Sequence, residues 1–184
     1  SYAYYSSIPS EETIVYGISS GNLWITRAQA EAQSVRGTLH TDLGGETELN
    51  LPVPGLFNLE NAQCAIGFAL ALGIPLDICI QHLQRYQAVP GRLERIEEGQ
   101  DFSVFVDFTI TPASYKKTLM TLRQIVGEEK RVLVLCSSCG NRMKEKRPEI
   151  GRIASELADI VVVTEDETYG EDPHAVLEEV DRKS

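Results

Sequence analysis

The chain has 184 residues, of which 42% are hydrophobic and 24% charged, a composition typical of a soluble globular protein with one or two domains. No apolar run approaches the ~20 residues that cross a bilayer and no stretch has the layout of a secretion signal, so we expect a cytoplasmic protein without a membrane partner. The net charge of −10 disfavours nucleic-acid binding, because a phosphate backbone requires a basic surface.

The first part of the chain, up to residue 53, alternates short β-like runs with turns. Strands of a meander or sheet edge are expected at residues 13–18, 23–33 and 34–41. Turn chemistry at Gly44-Gly45 then predicts an extended return within residues 42–55.

The spacing of apolar residues changes to a helical period from Asn58 onwards. Asn58 is expected to cap this helix, and Gly73 to end it in a left-handed conformation. Cys64 and Cys79 lie within helical patterns and are expected to pack as small hydrophobic residues. A second helix is expected from Pro75. The expected inner faces carry Ala62, Ala65, Ile66, Ala69 and Leu72 on the first helix and Ile80, Leu83 and Tyr86 on the second.

The Pro-Gly sequence within residues 88–95 predicts a boundary between one domain at 1–88 and another at 89–184. Strands and helices alternate after it, which predicts an α/β domain with a mainly parallel, doubly wound sheet. The expected elements are two strands around a Glu98-Gly99 turn within 92–108, a helix at 113–126, a strand at 131–138, a helix at 148–159 and a strand at 160–164.

Polar residues gather where the expected strands end, and ligands of such sheets bind beyond the carboxyl ends of the strands. Asp107 follows one strand and could accept hydrogen bonds from ribose hydroxyls, bind a metal, or cap the helix after Pro112. The acidic segment 164–173 follows another strand and could bind a cationic amine or form a solvated loop. In the first helical pattern, Asn58 and Asn61 share a face, where two amides suit either a purine edge or ordinary surface polarity.

The stretch from Cys136 to Pro148 combines a Cys-x-x-Cys pair with the densest basic cluster of the chain, at residues 142–147. A structural zinc site would need two further ligands, but there is no second pair and the three histidines are scattered. A redox pair would stand at a helix N-terminus, whereas the next helix is expected near Pro148. These observations favour a purely structural role for Cys136 and Cys139 over a zinc or redox site, and the basic cluster could hold an anion.

Four stretches resemble the Mur ligase family in order and spacing, most closely its tripeptide synthetases. They are GLFNLENAQCAIGFALALGIP, VPGRLERIEEGQDFSVFVDFTITPASYKKTL, CGNRMKEKRPEIGRIASELADIVVVTEDE and GEDP, and they cover the chain from about residue 50 to 180. The resemblance implies a fragment of a three-domain ligase. Residues 1–88 would be the end of the central ATP-binding domain, and residues 89–184 most of the Rossmann-like C-terminal domain.

The resemblance implies an enzyme that uses ATP and Mg²⁺ to join an amino acid acceptor to a UDP-N-acetylmuramoyl-peptide in peptidoglycan synthesis. The substrate carboxylate takes the γ-phosphate to give an acyl phosphate, which the acceptor amine then attacks. The resemblance places Asn58, Asn61, Arg92 and Asp107 at the nucleotide. It places Arg142, Lys146 and Arg147 in the loop beside the reacting groups and the acceptor, and Asp166 and Glu171 in the segment that selects the acceptor. It identifies no catalytic residue, no metal ligand and no oligomeric state.

Several family features are absent from this chain. It has no Gly-Lys-Thr phosphate loop, so we expect no ligase activity from it alone. The family's Asp-Tyr-Ala-His-Thr-Pro stands at residues 107–112 with isoleucine in place of histidine, and Gly-Gly-Asp-Arg-Asp stands at 139–143 without its acids. Tyr169 replaces the arginine of Asp-Asn-Pro-Arg, which grips the distal carboxylate of diaminopimelate, so another acceptor such as L-lysine is expected.

Three alternatives stay open. The first is a divergent ligase of another pathway, such as polyglutamate addition. The second is a nucleotide-binding module without catalysis, and the third is an oxidoreductase that uses the Cys136–Cys139 pair.

Overall fold

A computed structural model describes residues 9–10, 13–42 and 44–181 of the chain. It divides into two compact units, Ser1–Gln87 and Ala88–Ser184. Among the described residues, every helix is too short or too polar to cross a bilayer.

A four-stranded sheet forms one layer of the first unit. Its strands are β1 (Tyr16–Ile18), β2 (Leu23–Ala30), β3 (Val35–Thr41) and β4 (Glu46–Leu51), in the order β1-β2-β3-β4. β1 runs parallel to β2, and the remaining pairs are antiparallel. The strand expected at 23–33 ends at Ala30, and its register with β3 shifts between Thr26 and Gln29, where Arg27 has a φ of +52°.

Two helices, α1 (Phe57–Ala71) and α2 (Leu76–Leu83), cover the apolar face of this sheet. Gly73 ends α1 as expected: its φ is +78°, and its N–H donates to the Leu70 carbonyl at 2.9 Å. The next N–H, from Ile74, reaches back to the Ala69 carbonyl at 3.0 Å, which completes a left-handed helix end.

The expected start of α1 is wrong. The helix begins at Phe57, so Asn58 does not cap it but lies in its first turn, where its side-chain amide donates to the Pro54 carbonyl at 2.7 Å. No side chain caps this helix; its N-cap residue is Leu56.

The inner face of α1 is also rotated from the expected one. Gln63 is fully buried because its amide donates to the carbonyls of Gly17, at 2.9 Å, and Leu23, at 3.2 Å. The neighbouring Gly67 lets Ile14 approach closely. The buried positions are therefore Leu59, Ala62, Gln63, Ile66 and Gly67, while Cys64, Ala65 and Leu72 are exposed. On α2, Ile80 is buried and Cys79 packs against the core, but Tyr86 lies beyond the helix and is 41% exposed.

Strands and helices alternate in the second unit. Its elements are β5 (Glu94–Ile96), β6 (Val104–Val106), α3 (Pro112–Val126), β7 (Leu133–Cys136), α4 (Arg147–Leu157), β8 (Ile160–Val163) and α5 (Pro173–Asp181), with a 3₁₀ turn at Lys144–Lys146 before α4. The expected α/β class is confirmed, and β7 and β8 pair in parallel from Leu133 opposite Ile160 to Cys136 opposite Val163. One expectation is corrected: β5 and β6 form a separate antiparallel pair, so Asp107 follows a hairpin strand.

The three helices of this unit share one core with alternate residues of the parallel strands. Leu119, Ile150 and Val180 contribute from the helices, and Val132 and Cys136 from the β7 region. Leu133 and Leu135 lie on the other face of β7, where they are 61% and 65% exposed. In the described residues the helices therefore cover one face of the pair, which differs from the doubly wound arrangement that we expected.

Candidate functional site

The Asp107 carboxylate organises the segment that joins β6 to α3. One of its oxygens accepts the backbone N–H of Leu93 at 2.9 Å. The other accepts the hydroxyls of Thr109 and of Thr118, the latter at 2.8 Å. Leu93 is buried with a φ of +48°, an unfavourable conformation that the bond to Asp107 helps to hold.

The structure does not use Asp107 as a helix cap. Thr111 caps α3: its hydroxyl accepts the Ser114 N–H at 3.2 Å, while the Ser114 hydroxyl accepts the Thr111 N–H at 3.1 Å. Pro112 occupies the first helical position, where a missing N–H is harmless.

Arg92 lies directly beside this carboxylate segment. Its guanidinium stands 4.7 Å from the centre of the Phe108 ring and donates to the Phe108 carbonyl at 3.2 Å. Both side chains are exposed. An exposed cation stacked on an exposed ring can contact a planar base or a phosphate group.

The basic loop, residues 139–147, lies against the acidic segment, residues 164–173. The Gly140 N–H donates to the Glu167 carbonyl at 2.8 Å, and a Cβ at residue 140 would stand 1.7 Å from the Thr168 carbonyl oxygen. Only glycine allows this approach. The two polar stretches that the sequence marks out are therefore neighbours in the fold.

Arg147 and Glu171 bind each other. Arg147 is 0% exposed, and its guanidinium donates to Glu171 at 2.7 and 3.1 Å, to Glu179 at 2.6 Å and to the Cys139 carbonyl at 3.0 Å. Hydrogen bonds from Arg147, from the Asn141 N–H and from Lys144 hold the pKa of Glu171 well below its usual range. Both residues were predicted to meet the substrate, and the structure places them in this internal network.

Arg142 stands at the exposed surface of the same loop. Its guanidinium lies 5.0 Å from the centre of the Tyr169 ring. Lys146 donates its ammonium to the Ile110 carbonyl at 2.8 Å, which connects the basic loop to the segment that follows Asp107.

Asp166 is exposed at the start of the acidic segment. Its carboxylate accepts the N–H of Glu167 at 2.7 Å, the Ser137 hydroxyl at 3.3 Å and the Cys139 thiol at 3.4 Å. These bonds, the backbone N–H foremost, lower the pKa of Asp166. It therefore stays anionic at neutral pH.

The surroundings of the cysteine pair do not favour a redox role. Cys136 ends β7 in the core, Cys139 lies in the loop, and both are free thiols. Burial raises the pKa of each, which is opposite to the change that activates a thiolate. Within residues 9–10, 13–42 and 44–181, no group of three or more His, Cys, Asp or Glu could hold a metal ion.

Asn58 and Asn61 lie in the first unit. The Asn61 amide donates to the Asn58 side-chain oxygen at 3.0 Å, so the two amides share a face of α1 as expected.

Tyr115 and Thr118 belong to this region but were not predicted as part of a site. Tyr115 is buried, which raises the pKa of its hydroxyl to about 12, and it hydrogen-bonds to the backbone of Ser137. It is also close enough to Asp107 and Asp166 for both carboxylates to affect that pKa. In the sequence, the position of Tyr115 on the inner face of α3 predicted only a core residue.

Comparison with known proteins places these features in a family. The model of the Mur ligase, glutamate ligase domain matches residues 91–184. A Trichormus variabilis protein named UDP-N-acetylmuramoyl-L-alanyl-D-glutamate–2,6-diaminopimelate ligase is 36% identical over 164 residues, which are 88% of this chain and 32% of that protein. A Roseiflexus protein named UDP-N-acetylmuramyl-tripeptide synthetase is 34% identical over 177 residues, 93% of this chain and 33% of that protein.

Solved structures agree with this assignment. A crystal structure of MurF from Acinetobacter baumannii is 27% identical and superposes with a TM-score of 0.67, covering 80% of this chain and 32% of that one. The chain thus spans about a third of the length of the curated relatives that it matches.

Proposed function

Because the chain belongs to the Mur ligase family, we propose that it forms part of an ATP-dependent ligase that adds an amino acid to a UDP-N-acetylmuramoyl-peptide. Residues 1–88 would complete the central ATP-binding domain and residues 89–184 would form the C-terminal domain. The reaction would pass through an acyl phosphate, with Mg²⁺ neutralising charge on the phosphates. Arg92, Lys146 and their neighbours would orient the nucleotide and the acceptor.

The observation that carries this proposal is the bond from Lys146 to the Ile110 carbonyl at 2.8 Å. It joins the segment proposed to bind ribose to the loop proposed to meet the acceptor. An amide ligase needs its nucleotide and its second substrate at one place, because the acyl phosphate formed from one is attacked by the other.

On the nucleotide side we propose that Arg92 and Phe108 present their stacked surface to ATP. Asp107 would accept a ribose hydroxyl in exchange for one of its bonds to Thr109 or Thr118. Asn58 and Asn61 are proposed to meet the adenine edge, since a side-chain amide both donates and accepts hydrogen bonds.

On the acceptor side we propose Arg142 and Asp166 as contacts, with an acceptor other than diaminopimelate. Tyr169 offers an aromatic ring where the diaminopimelate motif has an arginine, so the distal carboxylate loses a partner. The exposed carboxylates of Glu165, Asp166 and Glu167 favour an acceptor with a free amine, such as L-lysine.

The test uses the complete ligase that contains this chain, supplied with ATP, Mg²⁺, a UDP-N-acetylmuramoyl-dipeptide and single amino acids. ADP release should depend on both the dipeptide and the acceptor, and L-lysine should support it better than diaminopimelate. Asp107→Asn should raise the KM for ATP more than the KM for the acceptor.

The 184-residue chain assayed alone is the matched control, and it should release no ADP because it lacks a phosphate loop. A complete protein that binds ATP without acceptor-dependent turnover would instead be a nucleotide-binding module. Turnover with glutamate and a substrate other than a UDP-sugar peptide would point to a ligase of another pathway. Preference for diaminopimelate would reject the acceptor assignment alone.

A further inference from the structure

The Glu171 side chain accepts hydrogen bonds from three residues of the basic loop. One carboxylate oxygen accepts the Asn141 N–H at 2.7 Å and an Arg147 N–H at 2.7 Å. The other accepts a second Arg147 N–H at 3.1 Å and the Lys144 ammonium. The Glu171 side chain is only 11% exposed, so it has little surface left with which to contact a ligand.

Arg147 anchors the same loop from inside the fold. Its guanidinium also binds the Cys139 carbonyl, where the loop starts, and Glu179 on α5. A guanidinium can be buried only with such partners, because an uncompensated charge in the interior is strongly unfavourable. Glu171 and Arg147 therefore fix both ends of the loop to the body of the domain.

Arg142 stands between these fixed points on strained backbone. Asn141 and Met143, which flank it, have φ values of +48° and +40°, a left-handed conformation that non-glycine residues rarely adopt. Two bonds hold Asn141 there: its N–H donates to Glu171, and its side chain donates to the Tyr169 carbonyl at 2.8 Å. With the backbone so held, the Arg142 guanidinium lies over the Tyr169 ring.

We propose that Glu171 is a positioning residue that holds Arg142 over Tyr169, facing the acceptor, and that it does not bind the acceptor itself. This inference rests on the proposed function in one respect, which is that Arg142 contacts the acceptor. The role follows from geometry: the bonds of Glu171 run to the loop on both sides of Arg142.

The first experiment measures acceptor kinetics in the complete ligase that contains this chain. Glu171→Gln should raise the KM for the acceptor about tenfold or more, since a displacement of about 1 Å can cost about a hundredfold. The KM for ATP should stay unchanged. Glu178→Gln is the matched control, because Glu178 is an exposed glutamate on α5 outside the network, and it should leave both constants unchanged.

A double-mutant cycle separates positioning from direct binding. If Glu171 acts through Arg142, Glu171→Gln should have no further effect on the acceptor KM in an Arg142→Ala enzyme. If Glu171 binds the acceptor directly, the two effects should add, and the proposal is overturned. Asn141→Gly gives a second variant in case Glu171→Gln folds poorly. It keeps the left-handed backbone but loses the bond to Tyr169, and should also raise the acceptor KM without adding to Arg142→Ala.

Hydrogen exchange on the 184-residue chain tests whether the bonds of Glu171 hold the basic loop, and it needs no activity assay. Glu171→Gln should speed exchange in residues 139–147, whereas Glu178→Gln should not. Equal exchange in the two variants would show that Glu171 does not hold the loop. Faster exchange with an unchanged acceptor KM would reject the positioning role but leave the proposed function intact. A complete parent enzyme without turnover would reject the proposed function, and the role of Arg142 with it.

Discussion

Replacing Gly140 with alanine tests whether the basic loop lies directly against the acidic segment. A Cβ at this position would stand 1.7 Å from the Thr168 carbonyl oxygen and 2.4 Å from its carbonyl carbon. Both obstructing atoms are backbone, so no side-chain rotation can relieve the overlap. The contact would have to open to at least 3.0 Å, which would break the bond from the Gly140 N–H to the Glu167 carbonyl, now 2.8 Å long.

The expected cost has two parts. Forcing an extra carbon into a packed contact costs about 1–3 kcal/mol. Losing a backbone hydrogen bond adds about 1 kcal/mol. For a unit of this size each kcal/mol lowers the unfolding midpoint by about 4–8 °C, so the change should be plain in a thermal melt.

Circular dichroism on the 184-residue chain measures this change, and hydrogen exchange locates it. Gly17→Ala is the matched control, because among the described residues its Cβ would meet only the Ser20 carbonyl oxygen, at an ordinary 3.7 Å. That variant should stay within about 0.5 kcal/mol of the parent. Gly140→Ala should also speed exchange in residues 164–173. If Gly140→Ala and Gly17→Ala have the same unfolding midpoint, and exchange in the acidic segment stays slow, then the basic loop does not lie against the acidic segment.

Three further outcomes follow from single contacts. Thr111→Ala should lower the free energy of unfolding, measured in urea, by about 1 kcal/mol because it removes the cap of α3. Cys136 and Cys139 should react slowly with iodoacetamide at neutral pH, since burial raises the pKa of both, while the exposed Cys64 is modified first. The lowered pKa of Glu171 should contribute its full stability above the ordinary glutamate pKa of about 4.3, and lose it as the pH falls further. In acid unfolding, Glu171→Gln should remove that part of the pH dependence.

Elements with a strong local pattern could be predicted from the sequence. The helical period of α1 and α3 and the apolar run of β7 indicated the right element types, and Gly73 ends α1 as its chemistry requires. The inner face of α1 could not be predicted, because Gln63 is buried by bonds to the carbonyls of Gly17 and Leu23 in another part of the chain. A polar residue is placed inside by partners that a local pattern does not contain.

The pairing of strands was predicted less well for a related reason. The alternation of strands and helices correctly indicated an α/β class, but it does not say which strands share hydrogen bonds. β5 and β6 are close in sequence and joined by a turn at Gly99, so the hairpin forms locally, as an antiparallel pair of its own. Asp107 consequently follows the hairpin, and the bond from Lys146 to the Ile110 carbonyl connects the segment after Asp107 to the basic loop.

In the basic loop, the number of basic residues does not indicate how many of them are free to bind a ligand. Four cations within six residues predicted a surface that faces an anion, but two of them, Lys144 and Arg147, bind Glu171 further along the chain. A cation that is already paired with a carboxylate in the fold has less net charge and fewer free hydrogen-bond donors for a ligand. Under the proposed function, anion recognition by this loop would depend on Arg142 and Lys146, and Arg147 would contribute through the shape that it gives the loop.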